Sequence, residues 1–240
     1  MTKQLIDACE LAEARSKLYQ LLALVYAEPP SLDFLKFLAG WVASVNKDEE
    51  HSQLLSQQMR HSLSILDSFF EKGNLGEELG ETISVEFTRL FRGVKPHYSP
   101  PPPYESVYRE ESGSVFGEST VAVHRKYLQF GLDLSERVSG EPPEHISFEL
   151  EFMHHLCSKE AEAWDGGNEE EALGMMRAEK EFLREHLLAW LPKFCNKIRE
   201  YDHLGFFREL ADLTEGWVAF DYQQHLQDEP LAAAAGITEG

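Results

Sequence analysis

Apolar residues return at helical spacing along nearly the whole chain. The first such run spans Lys3 to Ala27, with Leu11, Leu18, Leu22 and Val25 beside Tyr19 and Tyr26, and Glu28-Pro29-Pro30 stops it. Ser31 can cap a second helix through Phe34, Leu38 and Val42. Asp48 opens a third, with Leu55, Met59, Leu63, Leu66 and Phe70 on one side and Gly73-Asn74 at its end. A fourth runs from about Glu77 to Arg92 and carries Ile83, Phe87, Leu90 and Phe91 ahead of Gly93. Four prolines, Pro100 to Pro103, then hold the chain extended before a short helical turn at YESVYRE. Ser119 is placed to cap a helix through Val123, Tyr127 and Phe130, closed by Gly131. The next helix starts near Pro143 and ends at Gly166-Gly167. Asn168 caps a long one to about Trp190, Pro192 interrupts it, and further helices reach Tyr201 and then cover Leu204 to Leu226.

No stretch alternates strictly between turn signals, so no sheet is predicted. The expected fold is all-α, a single globular helical domain of about ten helices. Its N-terminal half is 1–130, a hinge lies at 131–142, and the C-terminal half is 143–227, with a mobile tail at 228–240.

The stretch EPPEHISFELEFMHHL, Glu141 to Leu156, organises the second half. Prolines suit a first helical turn, whose N–H groups lack intrahelical partners. Glu144 is expected in that turn, where the helix dipole favours an anion. His145 stands beside it at an exposed mouth, with Glu149 one turn below. Spacing alone leaves two readings open: a capped core helix with solvated ends, or a recognition site at a helix mouth.

Charge narrows the partners. The formal net charge is −20, from 42 acidic and 22 basic residues, which repels nucleic acid and attracts a basic peptide or protein. Three scattered cysteines, Cys9, Cys157 and Cys195, form neither a disulfide framework nor a zinc motif and suit a reducing compartment. The N-terminus lacks the features of a secretory signal, and no run is apolar enough to span a bilayer, so a cytoplasmic location is expected.

Catalytic chemistry has little support. Glu151/His154 and Glu200/His203 share the Glu-x-x-His spacing of di-iron bundles, but Glu151 and His154 fall on the polar side of their helix and Glu200/His203 at a helix end. Neither a nucleophile elbow nor a P-loop is present. The proline-rich break YSPPPPYESVY, Tyr98 to Tyr108, is the second candidate for recognition. It presents a stiff wall with Tyr104 and Tyr108 as amphipathic anchors. A rigid surface crossover is the plainer alternative.

The two stretches together resemble a known family. PPYESVY after a helix ending in LFRG, then EPPEH leading into ELEFM, is similar to the TorD/DmsD family of chaperones for molybdenum-containing oxidoreductases. The resemblance runs from the first helix to the last. It implies an all-α protein without catalytic machinery or a metal. Such a protein binds the twin-arginine signal peptide of an apo-molybdoenzyme of the dimethyl sulfoxide reductase type until molybdopterin is inserted. It also implies weak guanine-nucleotide binding in some members, and either monomers or domain-swapped dimers.

Phe87, Leu90 and Phe91 match the family positions before the glycine of LFRG, and Pro103, Tyr104 and Ser106 match its Pro-aromatic-x-Ser. Glu144 and His145 match its Asp-His pair, with Glu where Asp is usual, and Tyr104-Glu105 stands where some members have Trp-Gly. The resemblance therefore implies that Glu144, helped by Glu105, meets the arginines. Phe87, Leu90, Phe91, Pro103 and Tyr104 line an apolar groove, and His145 orients the loop. Arginine pairs bidentately with carboxylates, and an aromatic groove accepts an apolar helix, so the chemistry is consistent. Rival readings are a di-metal carboxylate bundle and an adaptor for a folded partner without a signal peptide.

Overall fold

A computed structural model describes residues 3–48, 55–93, 98–110, 115–133 and 140–227, with side chains from 6 to 224. The expected tail at 228–240 and residues 134–139 of the expected hinge lie outside them. The described residues are helical, with no named strand and one isolated antiparallel bridge between Tyr104 and His145. The helices are α1 (Lys3–Ala27), α2 (Leu32–Lys47), α3 (Gln57–Lys72), α4 (Glu77–Phe91) and α5 (Glu105–Arg109). After them come α6 (Glu118–Gln129), α7 (Ile146–Asp165), α8 (Glu169–Phe182), α9 (Leu188–Tyr201) and α10 (Phe206–Gln227).

The chain forms two compact units, not divided at 131–142. Unit 1 combines Met1–Leu24, Tyr104–Ala189 and Val218–Gly240, so both flanks of the expected hinge belong to it. Unit 2 combines Val25–Pro103 and Trp190–Trp217. Each unit draws its core from segments far apart in sequence.

In unit 1, α7 packs along α8. Tyr127, Phe152 and Phe182 pack with inclined rings in its core, the centroids 4.8 Å apart for Tyr127–Phe152 and 4.7 Å for Phe152–Phe182. The buried stripe of α1 in this unit is Ala12, Arg15, Ser16, Tyr19 and Leu22, while Leu11 faces solvent. In unit 2, α2 packs on α3. Leu35, Leu38 and Val42 of α2, and Met59, Leu63, Leu66 and Phe70 of α3, are buried.

Helix ends follow local chemistry. Ser31 and Asn168 accept the N–H of Phe34 and Glu171 as N-caps, in the places expected. The cap of α3 is Ser56, which accepts from Met59, whereas Asp48 closes α2 through its own N–H. Gly131 and Gly167 end α6 and α7 with φ of +77° and +70°, conformations that cost glycine little. Pro192 does not end its helix but lies inside α9. It has no N–H for the carbonyl one turn back. The preceding turn, Leu183–Leu187, is wound wide as a π-turn, and the Leu188 N–H reaches the Leu183 carbonyl.

Candidate functional site

The proline run stiffens the chain up to Pro103, which is buried. Tyr104 then pairs with His145 as a two-residue bridge, the Glu105 N–H donating to the Glu144 carbonyl at 3.1 Å. This joins the tyrosine loop to the EPPEH segment, the juxtaposition that the paired motifs imply. The Tyr104 and His145 rings lie 5.7 Å apart, and the Tyr104 hydroxyl donates to the Glu141 carboxylate at 2.6 Å. Tyr104 and Glu141 are half-buried, so this edge of unit 1 reaches solvent.

Glu144 is not at an exposed mouth. It has no exposed surface, and its carboxylate is held by four donors. Ser106 gives its N–H at 3.0 Å and its hydroxyl at 2.7 Å. Ser119 and Thr120, at the start of α6, give hydroxyls at 3.0 Å and 2.7 Å. A buried carboxylate requires such partners, and this one uses them to bind α5, α6 and the start of α7 together. The expected cap, Ser119, spends its hydroxyl on Glu144 and Glu110 rather than on α6. The prolines precede α7 instead of opening it. The His145 N–H closes a turn onto the Pro142 carbonyl at 3.0 Å, and Tyr127 donates to the Pro143 carbonyl at 3.0 Å.

His145 is the N-cap of α7 and only 3% exposed. Its Nδ1 accepts the Ser147 N–H at 3.1 Å, which leaves the imidazole proton on Nε2. The ring thus does a capping side chain's work and sets the angle at which the chain meets Tyr104. Glu105, expected as a helper for arginine, is also fully buried. It pairs with Arg109 on the same turn and with His186 Nδ1 at 2.9 Å. Arg109 in turn donates to the Glu185 carbonyl at 2.8 Å.

Phe87, Leu90 and Phe91 are interior residues of unit 2 and not an open groove wall. Phe87 and Phe91 pack at 4.9 Å, and Phe91 meets Phe207 at 5.3 Å and Tyr26 at 5.6 Å. Unit 2 presents one apolar surface beside the other side of α4. There Val85 and Tyr98, 69% and 56% exposed, border a cavity of about 530 Å³ with Pro29, Thr88 and Arg92. Arg89 braces its floor. The guanidinium is bidentate to Glu86, at 2.8 and 2.5 Å, and donates to the Tyr98 carbonyl at 2.8 Å. Burial pushes the Glu86 carboxyl up, but Arg89 and the His203 N–H more than offset it and leave it below the usual carboxylate range.

Among the described residues, no group of three or more His, Cys, Asp or Glu could hold a metal ion. His154 bonds the Ser16 hydroxyl at 2.7 Å, and Glu200 pairs with Lys197 at 2.6 Å. No described helix is long and apolar enough to cross a membrane.

Residues 48–196, more than half of the chain, match the family described as nitrate reductase delta subunit. The chain is 24% identical over 220 residues to a chaperone protein TorD of Vibrio cholerae, covering 91% of this chain and 94% of that one. It is 26% identical over 223 residues to the TorD chaperone of Shewanella pealeana, covering 90% and 91%. It is also 26% identical over 248 residues to that of Colwellia psychrerythraea, covering 92% and 96%. That these relatives are named chaperones supports a non-enzymatic role. The chain, helical in its described residues, with the tyrosine loop bridged to the EPPEH segment and matched by that family over more than half its length, belongs to the nitrate reductase delta subunit family and, within it, to the TorD/DmsD chaperones.

Proposed function

We propose that the protein is a cytoplasmic chaperone that binds the twin-arginine signal peptide of an apo-molybdoenzyme of the dimethyl sulfoxide reductase type. It holds that partner until molybdopterin is inserted, before export. Its relatives' name and the net charge of −20 support this reading. The observation that carries it is the Tyr104–His145 bridge, which sets a half-buried tyrosine and a half-buried carboxylate, Glu141, side by side at the surface of unit 1.

Roles divide by burial. Glu144, Glu105, Ser106 and His145 shape the loop from inside. Glu141 and Tyr104 are the groups that an arriving arginine meets. A guanidinium would take the Glu141 carboxylate bidentately and displace the Tyr104 hydroxyl, whose ring then stacks on it. The acidic surface steers the basic peptide in and weakens its hold on it as salt rises.

The test is titration of a synthetic peptide of two arginines followed by an apolar helical run. Tyr104→Ala and His145→Ala are expected to weaken binding by about tenfold, a loss of ~1.4 kcal/mol. Replacing both arginines by lysine should weaken it too, because lysine offers no planar fork. Unchanged affinity in both variants refutes the site.

A further inference from the structure

A single buried guanidinium ties the three chain segments of unit 1 together. Arg15 of α1 donates from Nη1 to Glu160 of α7 at 2.6 Å and from Nε to Asp221 of α10 at 2.7 Å. It also donates from Nη2 to Glu179 of α8. Asp221 further accepts the Tyr19 hydroxyl at 2.7 Å, and Glu160 accepts the Trp164 indole N–H at 3.0 Å. Arg15, Glu160, Glu179 and Asp221 are 6%, 4%, 0% and 1% exposed. Among the described residues, the titratable groups around the cluster are Cys9, Arg15 and Tyr19 from α1, Cys157 and Glu160 from α7, Glu179 from α8 and Asp221 from α10.

Three carboxylates converge on this guanidinium with almost no exposure, so ionising all three would crowd like charges together away from water. An interior does not sustain that; a carboxyl neutralises instead. The relative basicities agree. Burial, then the neighbouring Glu179, pushes Glu160 up to about 8, with Arg15 only partly offsetting them. Burial and Glu179 likewise push the Cys157 thiol up, so it adds no charge at neutral pH.

We propose that the Arg15 cluster is a proton-operated clasp that holds the C-terminal part of α10 to α1, α7 and α8 and loosens when the Glu160 carboxyl proton is lost. The element expected to release is α10. Asp221 is its charged residue in the cluster, whereas α7 and α8 are also packed on each other along their length. The sign follows from linkage. A carboxyl whose folded pKa exceeds its unfolded value adds stability that is complete below the unfolded value. That stability is lost as pH rises through the folded one. Between about pH 5 and 8 the folding equilibrium constant should fall up to tenfold per pH unit from this site.

Two measurements on the full chain test it. In the wild type, carbon-13 carboxyl signals of labelled glutamate should include one titrating near pH 8, and hydrogen exchange at 218–224, corrected for intrinsic rate, should speed up between about pH 5 and 8 and level off above that. In Glu160→Gln, which fixes a neutral group at that place, both responses should vanish. A wild-type spectrum with no glutamate titrating above pH 6.5 overturns the proposal, even if the variant fails to fold. So does a Glu160→Gln variant whose exchange keeps the wild-type pH dependence.

Discussion

Removing the Glu144 carboxylate separates an internal brace from a direct arginine contact. In Glu144→Ala, one backbone N–H and three hydroxyl donations, all in a site without solvent, lose their acceptor. Each hydrogen bond to a charged group is worth about 1.5–3 kcal/mol net, and such bonds are not additive. The three hydroxyls can re-aim, and Ser119 already shares its own with Glu110 at 3.0 Å. The Ser106 N–H cannot move without undoing α5. We therefore expect a loss of about 3–5 kcal/mol, a large share of a total stability of order 5–15 kcal/mol.

Glu144→Gln keeps an acceptor oxygen, and its amide can donate to hydroxyls that turn over, so its cost should be about 1–2 kcal/mol. Urea unfolding at neutral pH reads both shifts, provided different probes give one transition across the two units. Hydrogen exchange at Ser106 gives the local counterpart. Two results refute the reasoning. One is a Glu144→Ala loss below 1 kcal/mol. The other is a Glu144→Gln variant of unchanged stability that no longer binds the twin-arginine peptide, which would make Glu144 the arginine's partner.

Two further substitutions test the backbone. Gly40 sits within α2 with open space to 4 Å around the place a Cβ would take, so Gly40→Ala should raise stability by about 0.5–1 kcal/mol, read as a higher urea midpoint. Phe116 holds φ at +69° with its ring 73% exposed, so Phe116→Gly relieves a left-handed strain of about 1–2 kcal/mol. Its extra unfolded-state entropy reduces the gain to about 0.5–1 kcal/mol. A lower melting temperature for either variant contradicts the local account.

The helices were legible because the apolar period extends over whole elements. Ile83, Phe87, Leu90 and Phe91 recur on one side of α4, and all four are buried. What was not legible comes from partners distant in sequence. Glu144 reads as a solvated acid until Ser106, Ser119 and Thr120 close on it from 24 to 38 residues away. Longer separations, 81 residues for Glu105 and His186 and 145 to 206 for Arg15, hid those partners, although Arg15 left a trace: it is a lone charge in the stripe of Ala12, Tyr19 and Leu22. The start of α7 was misplaced because two prolines suit a first turn, while His145 is the cap and Ile146, three residues after Pro143, is the first helical residue. The motif pair correctly implied that the tyrosine loop and the EPPEH segment meet. It did not show that the acid of the pair faces inward and that Glu141, before it, faces the rim.

The most direct measurement is a photo-crosslink. A benzoylphenylalanine residue replaces Tyr104, and in a control it replaces Leu11, which is 60% exposed on α1. Each protein is irradiated with the twin-arginine peptide. The account predicts an adduct from position 104, mapped by mass spectrometry beside the two arginines and suppressed by excess unlabelled peptide, and none from position 11. Saturable binding with no adduct at 104, or equal adducts at both positions, contradicts it.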